Sequence, residues 1–406
     1  MKQILNWLVL LFIFSVPIEQ IIFLPGLGTI TRVMGLLLFL AWAANLILKK
    51  QIRWPHPFHI AACLFFSWSI GSIFWSHSLP ETLERANTYT QLGILIFILW
   101  DRLKSEAASR SAMQAYIFGV YVSVASTYSN FLAGNHGKFG RFAAGNFDDN
   151  DLGIIISLGI PMAWYLLVSD NQNKANHPLK VTNTLFIPIA ISGILLTASR
   201  TAMISLAPSL LYIVSAIRNF TFVHQALFFG LGTICIFALP FIIPAETFSR
   251  LSTAGDSISS GDMNGRGEIW KEGLFNYSQE PLFGVGSGAF KTTVEADHVA
   301  HNTFLSSLFE VGFIGLLLLL TVFLIAIICS ARFSRLWIVV FSILFIGAMS
   351  LSWEHRKPTW VIMSLGIIHS QNRDYFEQSN TRQRSMSSQN YQYLSRSSSE
   401  LNNFYD

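Results

Sequence analysis

A succession of long apolar segments, separated by short polar connections, constrains this chain more than any other feature of its sequence. Hydrophobic residue types make up 52% of its 406 residues and charged types only 12%. A helix of about 20 apolar residues spans the hydrocarbon core of a bilayer, and it satisfies its own backbone polar groups there. The sequence therefore predicts an all-α, polytopic integral membrane protein.

About twelve transmembrane helices can be placed on these segments. They cover residues 5–24, 30–48, 58–75, 87–100, 112–132, 151–169, 183–198, 201–217, 222–243, 303–329, 335–352 and 358–370. If the N-terminus lies inside, every cytoplasmic connection carries lysine or arginine, and the basic residues of the outward segments, such as Arg85, are exceptions that need an explanation. This arrangement obeys the positive-inside rule and sets the predicted topology.

Residues 1–370 are predicted to form one membrane domain. Within it, residues 244–302 form the largest connection, on the outer side, with an amphipathic helix from about Arg266 to Tyr277 and a glycine-rich loop. This connection is too short to be an independent catalytic domain. Residues 371–406 are rich in Ser, Gln and Asn and are predicted to form a disordered cytoplasmic tail.

The charges and cysteines exclude several functional classes. The net charge of +4 is small, and no dense basic block is present, so a nucleic-acid partner is not expected. Cys63, Cys235 and Cys329 lie within or at the end of apolar segments. Neither a disulfide framework nor a CxxC metal signature can therefore be formed.

Two arginines, Arg200 and Arg266, are candidates for binding an anion. Arg200 lies in "LLTASRTAMISL", between two apolar segments near the outer interface, and Arg266 lies at the start of the loop helix. Each has an ordinary explanation, an interfacial anchor for Arg200 and a solvated loop charge for Arg266. The alternative is an anion site, because guanidinium groups bind phosphate oxygens bidentately and a helix N-terminus favours negative charge. Two such arginines on one face of the membrane would suit a lipid diphosphate.

The start of the tenth span carries a titratable side chain. His301 either closes this span at the interface or acts as a general base toward a hydroxyl. Asn302 could orient that histidine or cap the helix. Glu310 would be costly if it faced lipid, so it is expected to point inward. Gly312 and Gly315 are expected to share a helical face and to admit a neighbouring helix or lipid chain.

Three further stretches allow more than one interpretation. "GVGSG" at 284–288 resembles a nucleotide-binding loop but follows no predicted strand, which argues against that function. "EADHVAHN" brings Glu295, Asp297, His298 and His301 close together and could form a zinc site. "NFDDNDLG" at 146–153 is either a helix N-terminal cap or a source of contacts to sugar hydroxyls or of a catalytic acid.

An ordered set of motifs resembles a known family. "HNTFLSSLFEVGFIG" fits the pattern H-[NSQ]-x9-G-x-x-G of the O-antigen ligase and polymerase family, with His301, Asn302, Gly312 and Gly315 in register. "NDLGIIISLGIP", "TASRTAMISL", "GRGEIW", "PLFGVGSGAF" and "RKPTWV" are similar to other landmarks of that family, in the same order. The similarity covers about residues 146–361.

The resemblance implies a GT-C-like, metal-independent, inverting glycosyltransferase that needs no cofactor. Its donor would be a glycan on an undecaprenyl diphosphate carrier, and its acceptor a hydroxyl of a glycan or of lipid A core, at the periplasmic face of the bacterial inner membrane. His301 would be the catalytic base, and Arg200 and Arg266 would bind the diphosphate. The supporting residues would be Asn302, Glu310, Gly312 and Gly315.

The residues leave other functions open. Ligase and polymerase share the same donor and are not distinguished, and Arg250, Lys271 and Arg356 are secondary candidates for phosphate or sugar contact. A polytopic solute or anion transporter would also place outward charges around a cavity, although no internal repeat supports it. A scaffold without catalysis is the third possibility.

Overall fold

The computed structural model describes residues 2–137, 140–169, 177–217, 266–294 and 299–373, with positions 225 and 230 between them. The helices are α1 Lys2–Ser15, α2 Ile30–Lys49, α3 Pro57–Gly71, α4 Leu79–Arg102, α5 Glu106–Leu132, α6 Asp149–Ser169, α7 His177–Leu196, α8 Arg200–Ile217, α9 Arg266–Gln279, α10 Phe290–Thr293, α11 Thr303–Ala331, α12 Arg335–Ala348 and α13 357–373. Two-residue strands, β1 (Phe23–Leu24) and β2 (Gly28–Thr29), pair antiparallel between α1 and α2. The all-α prediction is confirmed for this part of the chain.

Five of the described helices are long and apolar enough to cross a membrane. They are α2, α3 with its 3-10 extension to Phe74, α6, α7 from Pro178 onward, and α11. A described helix lies at each of the twelve predicted spans except 222–243, of which the structure describes only positions 225 and 230. The number of spans therefore stays a prediction, as does the tail, of which 374–406 are not described and 371–373 extend α13.

The predicted first span, 5–24, is wrong in its second half. Helix α1 ends at Ser15, and the chain then turns, with hydrogen bonds from Val16 N to Ile13 O and from Ile18 N to Ser15 O, before it enters the hairpin. Pro17 explains the end of the helix, because proline has no backbone N–H and disfavours helical geometry in the residue before it. The apolar composition alone could not distinguish this turn from a longer helix.

Helix α6 lies at the centre of the molecule. It packs against α5, α7, α8 and α12, and every residue from Leu152 to Leu166 is buried. A helix that is apolar on all faces is expected to be surrounded by other helices. The polar first turn of α6 is thereby fixed at one end of the protein.

Hydrogen bonds join predicted outer connections to residues that were predicted to lie within spans, Gln20 in 5–24 and Ser72 in 58–75. Asn146 N binds Gln20 O at 2.9 Å, and Ser287 N binds Ser72 Oγ at 3.0 Å. We call this the site end; it comprises residues 16–29, 72–78, 133–137, 140–148, 197–199, 280–294, 299–302 and 349–356. At the opposite end, Arg102 binds Asn6 at 2.9 Å. The predicted alternation of connections across the membrane stays a prediction.

Candidate functional site

His301 lies at the site end, immediately before α11. It is half-buried, and its backbone has φ = 48°, in the left-handed region that non-glycine residues rarely adopt. Such a conformation costs about 1–3 kcal/mol and persists only where the surrounding structure imposes it. The neighbouring contacts supply that constraint.

Asn302 caps α11. Its Oδ1 accepts from the N–H groups of Phe304 and Leu305, both at 3.0 Å, and its Nδ2 donates to Met349 O at 3.3 Å. Of the two roles considered for Asn302, the structure therefore gives it the helix cap. The cap fixes the residue that follows His301 and ties it to the 349–356 connection.

The loop helix α9 packs directly beside His301. Trp270 Nε1 donates to Ala300 O at 2.8 Å, and Ile269 belongs to an apolar cluster with Ala300 and Phe309. Arg266, the first residue of α9, is one helical turn from Trp270. The start of α9 is thus held next to the residue that precedes His301.

Arg266 is half-buried at this helix start. Burial lowers the pKa of its guanidinium, and the nearby carboxylate of Asp148 opposes that shift. Asp148 itself accepts from the N–H groups of Asn150 (2.8 Å) and Asp151 (3.4 Å) at the start of α6. Arg266 therefore lies within electrostatic range of the Asp148 carboxylate at the start of the central helix.

Arg200 is the first residue of α8, and it approaches the same place from another side. The preceding Ser199 accepts from Ala202 N and donates its hydroxyl to Asn150 Oδ1 at 2.9 Å. Among the described residues, Arg200 Nε is buried and has no hydrogen-bond partner. A buried donor without a partner is costly, so this position is suited to a ligand that supplies an oxygen.

The carboxylates of "NFDDNDLG" have hydrogen-bond or ion-pair partners within the protein. Asp148 caps α6, Asp149 forms a 3.1 Å ion pair with Arg141, and Asp151 accepts from Trp353 Nε1 at 2.8 Å. Arg356 lies 3.6 Å from Asp151. These contacts confirm the helix-cap interpretation for Asp148 and give the other two carboxylates structural partners.

Trp353 connects the two halves of the site. Its backbone N–H donates to Thr303 Oγ1 at 2.9 Å, and its indole donates to Asp151. The start of α11, which follows His301, is thereby linked to the start of α6, which Arg200 and Arg266 approach. The structure brings the three predicted residues to one region at the site end.

A buried charge network lies directly beneath this region, and the sequence interpretation missed most of it. Glu310 is 5% exposed, and its Oε2 accepts from Gly288 N at 2.7 Å. Glu354 is 1% exposed, and its Oε1 accepts from Ser306 Oγ at 3.2 Å and lies 3.5 Å from Arg85. The outward arginine at position 85 was the available signal, because a charge at a span's edge needs a partner.

His355 completes the network. Its Nδ1 lies 3.0 Å from Glu354 Oε1. Burial, together with Arg85 and Arg356, holds the pKa of His355 well below its usual value. Burial also raises the pKa of Glu354, and Arg85 opposes that change.

Helix α11 is broken at Gly312, where φ is 71° and ψ is −172°. The break frees carbonyl groups that a continuous helix would use: Phe309 O accepts from Val285 N at 3.0 Å, and Glu310 O from Gly286 N at 2.8 Å. Val311 O accepts from Trp68 Nε1 at 2.9 Å. The loop 282–288 is therefore docked through its backbone against the interrupted helix.

This break corrects one prediction and explains a motif. Gly312 and Gly315 do not share a continuous helical face. A Cβ on Gly312 would lie 2.2 Å from Leu282 O, and one on Gly315 would lie 2.2 Å from Val311 Cγ2 and 3.2 Å from Trp68 Cδ1. Gly284 of "GVGSG" serves the same close approach, since a Cβ there would lie 2.6 Å from Gly312 N, and Gly286 approaches Ser76, where a Cβ would lie 2.3 Å from the hydroxyl oxygen. Backbone docking, rather than phosphate binding, accounts for this glycine-rich loop.

A comparison with models of protein families finds a match to the part of the chain that contains the candidate site. Residues 185–320 match a family model described as O-antigen ligase. The predicted resemblance to the O-antigen ligase family is confirmed for residues 185–320. The matched region contains Arg200, Arg266 and His301. No curated protein matches the chain.

Several predicted residues fall outside the part of the chain that the structure describes. They are Arg250, Glu295, Asp297 and His298. Within the described residues, no group of three or more His, Cys, Asp or Glu side chains could hold a metal ion. Lys271, a secondary candidate, is described and is exposed on α9.

Proposed function

We propose that this protein is a membrane glycosyltransferase of the O-antigen ligase or polymerase type, with its site on the periplasmic face of the bacterial inner membrane. The observation that carries the proposal is the family match, which contains both arginines and His301. Contacts at the site end support it by bringing the starts of α6, α8, α9 and α11 together. The donor is a glycan on undecaprenyl diphosphate, and the acceptor is a hydroxyl of a glycan or lipid A core.

The reaction is a single displacement. His301 accepts the proton of the acceptor hydroxyl while that oxygen attacks the anomeric carbon. The bond from this carbon to the diphosphate oxygen breaks, and the diphosphate leaves with the bonding electron pair. Attack opposite the leaving group inverts the anomeric carbon.

The leaving group requires positive charge on its side of the site. Arg200 and Arg266 supply it, because preorganised donors in a partly buried site stabilise the charge that develops on the diphosphate. Arg200 Nε, without a protein partner in the described chain, is available to a phosphate oxygen. In this mechanism the guanidinium groups perform the task for which other glycosyltransferases use a metal ion.

His301 is favoured as the base over the neighbouring carboxylates. Asp148, Asp149 and Asp151 each accept hydrogen bonds or pair with a cation, so each carboxylate already has partners within the protein. Glu310 accepts from Gly288 N inside the buried network. A histidine has an ordinary pKa near neutrality and suits this role.

The test is turnover of a polyprenyl diphosphate glycan by the purified chain in lipid, with lipid A core and free repeat units as separate acceptors. His301→Ala should lose about 10²- to 10⁴-fold in turnover, while the exposed His136→Ala, also at the site end, keeps full activity. A chelator should leave the wild type unchanged, and His298→Ala should cost little.

Other outcomes would replace the proposal. Equal failure of His298→Ala and His301→Ala, with activity restored by zinc after chelation, would indicate a zinc site. An active His301→Ala variant would give the histidine an interfacial role only. Transport of a labelled solute without glycan turnover would make the protein a transporter.

A further inference from the structure

We infer that a groove at the opposite end of the membrane domain binds one anionic phospholipid of the cytoplasmic leaflet. The groove has a volume of about 610 Å³ and lies between α1, α5, α6 and α7. It is remote from the site end, since its lining comes from the first half of α5, the first turns of α7 and the body of α1. The inference uses the proposed orientation of the chain but not the proposed reaction.

One end of the groove is basic. Arg110 and Lys180 line it, on two different helices, near the point where each helix begins. Both side chains are half-buried, so a phosphate between them would be less screened than at an open surface. Basic pockets between helices on the cytoplasmic side suit anionic lipid head groups.

The middle of the groove is polar without charge. Gln114 and Asn183 exchange two hydrogen bonds, Gln114 Nε2 to Asn183 Oδ1 at 3.1 Å and Asn183 Nδ2 to Gln114 Oε1 at 3.0 Å. The Ser111 hydroxyl lines the same stretch. Such groups match the glycerol and ester region that follows a phospholipid head group.

The remaining wall is apolar and open to the membrane. Leu11, Phe14 and Phe118 line it, and Leu11 and Phe118 are 47% and 38% exposed. Arg110 and Phe118 are eight residues apart on α5, which is about 12 Å along the helix axis. The order of charge, amide and hydrocarbon therefore follows the order of groups in a phospholipid.

The charge of the groove decides between lipid classes. A zwitterionic phosphatidylcholine brings its own cation to Arg110 and Lys180, whereas phosphatidylglycerol brings only a negative charge. Each basic residue near an anionic lipid surface contributes about fivefold in affinity. Two of them should together favour the anionic lipid by about 30-fold.

Native mass spectrometry of the full chain tests the inference with defined lipids. The wild type should retain one phosphatidylglycerol through detergent exchange and should not retain phosphatidylcholine. The double variant Arg110→Gln and Lys180→Gln should bind phosphatidylglycerol about 30-fold more weakly. Leu11→Trp, which fills the open apolar wall and keeps both charges, should also lose the bound lipid.

The matched control is the double variant Lys49→Gln and Lys50→Gln. It removes two exposed lysines that lie at the same end of the protein as the groove but do not line it. It should retain the lipid. Equal loss in both double variants would mean nonspecific charge attraction and overturn the site. Retention of phosphatidylcholine, or of polyprenyl diphosphate in place of phosphatidylglycerol, would also overturn it, and glycan turnover measured separately would be unaffected by that result.

Discussion

At the scale of single residues, the geometry of the guanidinium group matters as much as its charge. Arg200 and Arg266 each begin a helix and each approach the first turn of α6. A guanidinium can donate two parallel hydrogen bonds to one phosphate, and a lysine ammonium acts as a point charge. Replacement by lysine therefore separates geometry from charge.

We expect Arg200→Lys and Arg266→Lys each to reduce turnover by about tenfold or more, equivalent to one charge-assisted hydrogen bond of about 1.5–3 kcal/mol. Steady-state assay of glycan transfer gives the measurement. Arg102→Lys, at the opposite end, is the control and should remain fully active. Full activity in both site variants would mean that neither arginine holds the leaving group.

The buried glutamate beneath the site gives a second prediction at this scale. Glu354→Gln removes the negative charge that faces Arg85, and breaking a buried ion pair costs about 3–5 kcal/mol. The midpoint of thermal unfolding should fall clearly. Glu280→Gln, whose partner His77 lies 3.1 Å away in an exposed pair, should cost at most about 1 kcal/mol. Similar melting of both variants would contradict a structural role for the network.

At the scale of elements, the break in α11 determines how the outer loop is held. The loop backbone occupies the space that a Cβ at position 312 would need, and the break supplies carbonyl groups to the loop. The loop 282–288 and the helix that carries His301 at its start are thus one structural unit.

Gly312→Ala should detach this loop, because the new Cβ would lie 2.2 Å from Leu282 O. Gly134→Ala is a matched control, since Gly134 has nearly the same φ, 70°, and a Cβ added there would have no neighbouring atom within 4 Å. The control should lose only about 1–2 kcal/mol from backbone strain. Limited proteolysis after Tyr277 or Lys291 should accelerate in Gly312→Ala alone; equal cleavage in both variants would argue against docking.

The sequence predicted the helices and one glycine but not the break itself. Apolar runs and the loop helix from Arg266 could be predicted from composition and periodicity, because both are local properties. The pairing of Gly284 with Gly312, and the contact of Arg85 with Glu354, join positions far apart in the chain. Pro17 was a local signal for the end of α1, but the surrounding apolar residues outweighed it.

The candidate site also depends on contacts between distant positions, which the sequence alone does not reveal. The family pattern pointed to Arg200, Arg266 and His301, and the structure brought them to one region. Trp353 and Glu354, which hold that region together, belong to no motif and lie outside the matched residues. Their importance depends on burial and on hydrogen bonds, which a single sequence does not contain.

At the scale of the whole molecule, residues at the two ends are expected to be accessible from opposite sides of the membrane. In a chain without its native cysteines, Ser278→Cys and Asn135→Cys, both exposed at or beside the site end, should react with a membrane-impermeant thiol reagent added outside intact cells. Ser105→Cys, exposed at the opposite end, should react only after permeabilisation. The reverse pattern would place the site in the cytoplasm.

The break in α11 also constrains how the protein is assembled in the membrane. Its free carbonyl groups at Phe309, Glu310 and Val311 would have no partner in hydrocarbon, where each unsatisfied group costs several kcal/mol. Their partners are supplied by the loop and by Trp68, which lies 243 residues before Val311 in the chain. In its broken form, helix α11 therefore cannot lie in lipid on its own, and the early helices must already be present to receive it. A chain that ends before α11 leaves the Trp68 indole without Val311 O, its hydrogen-bond partner.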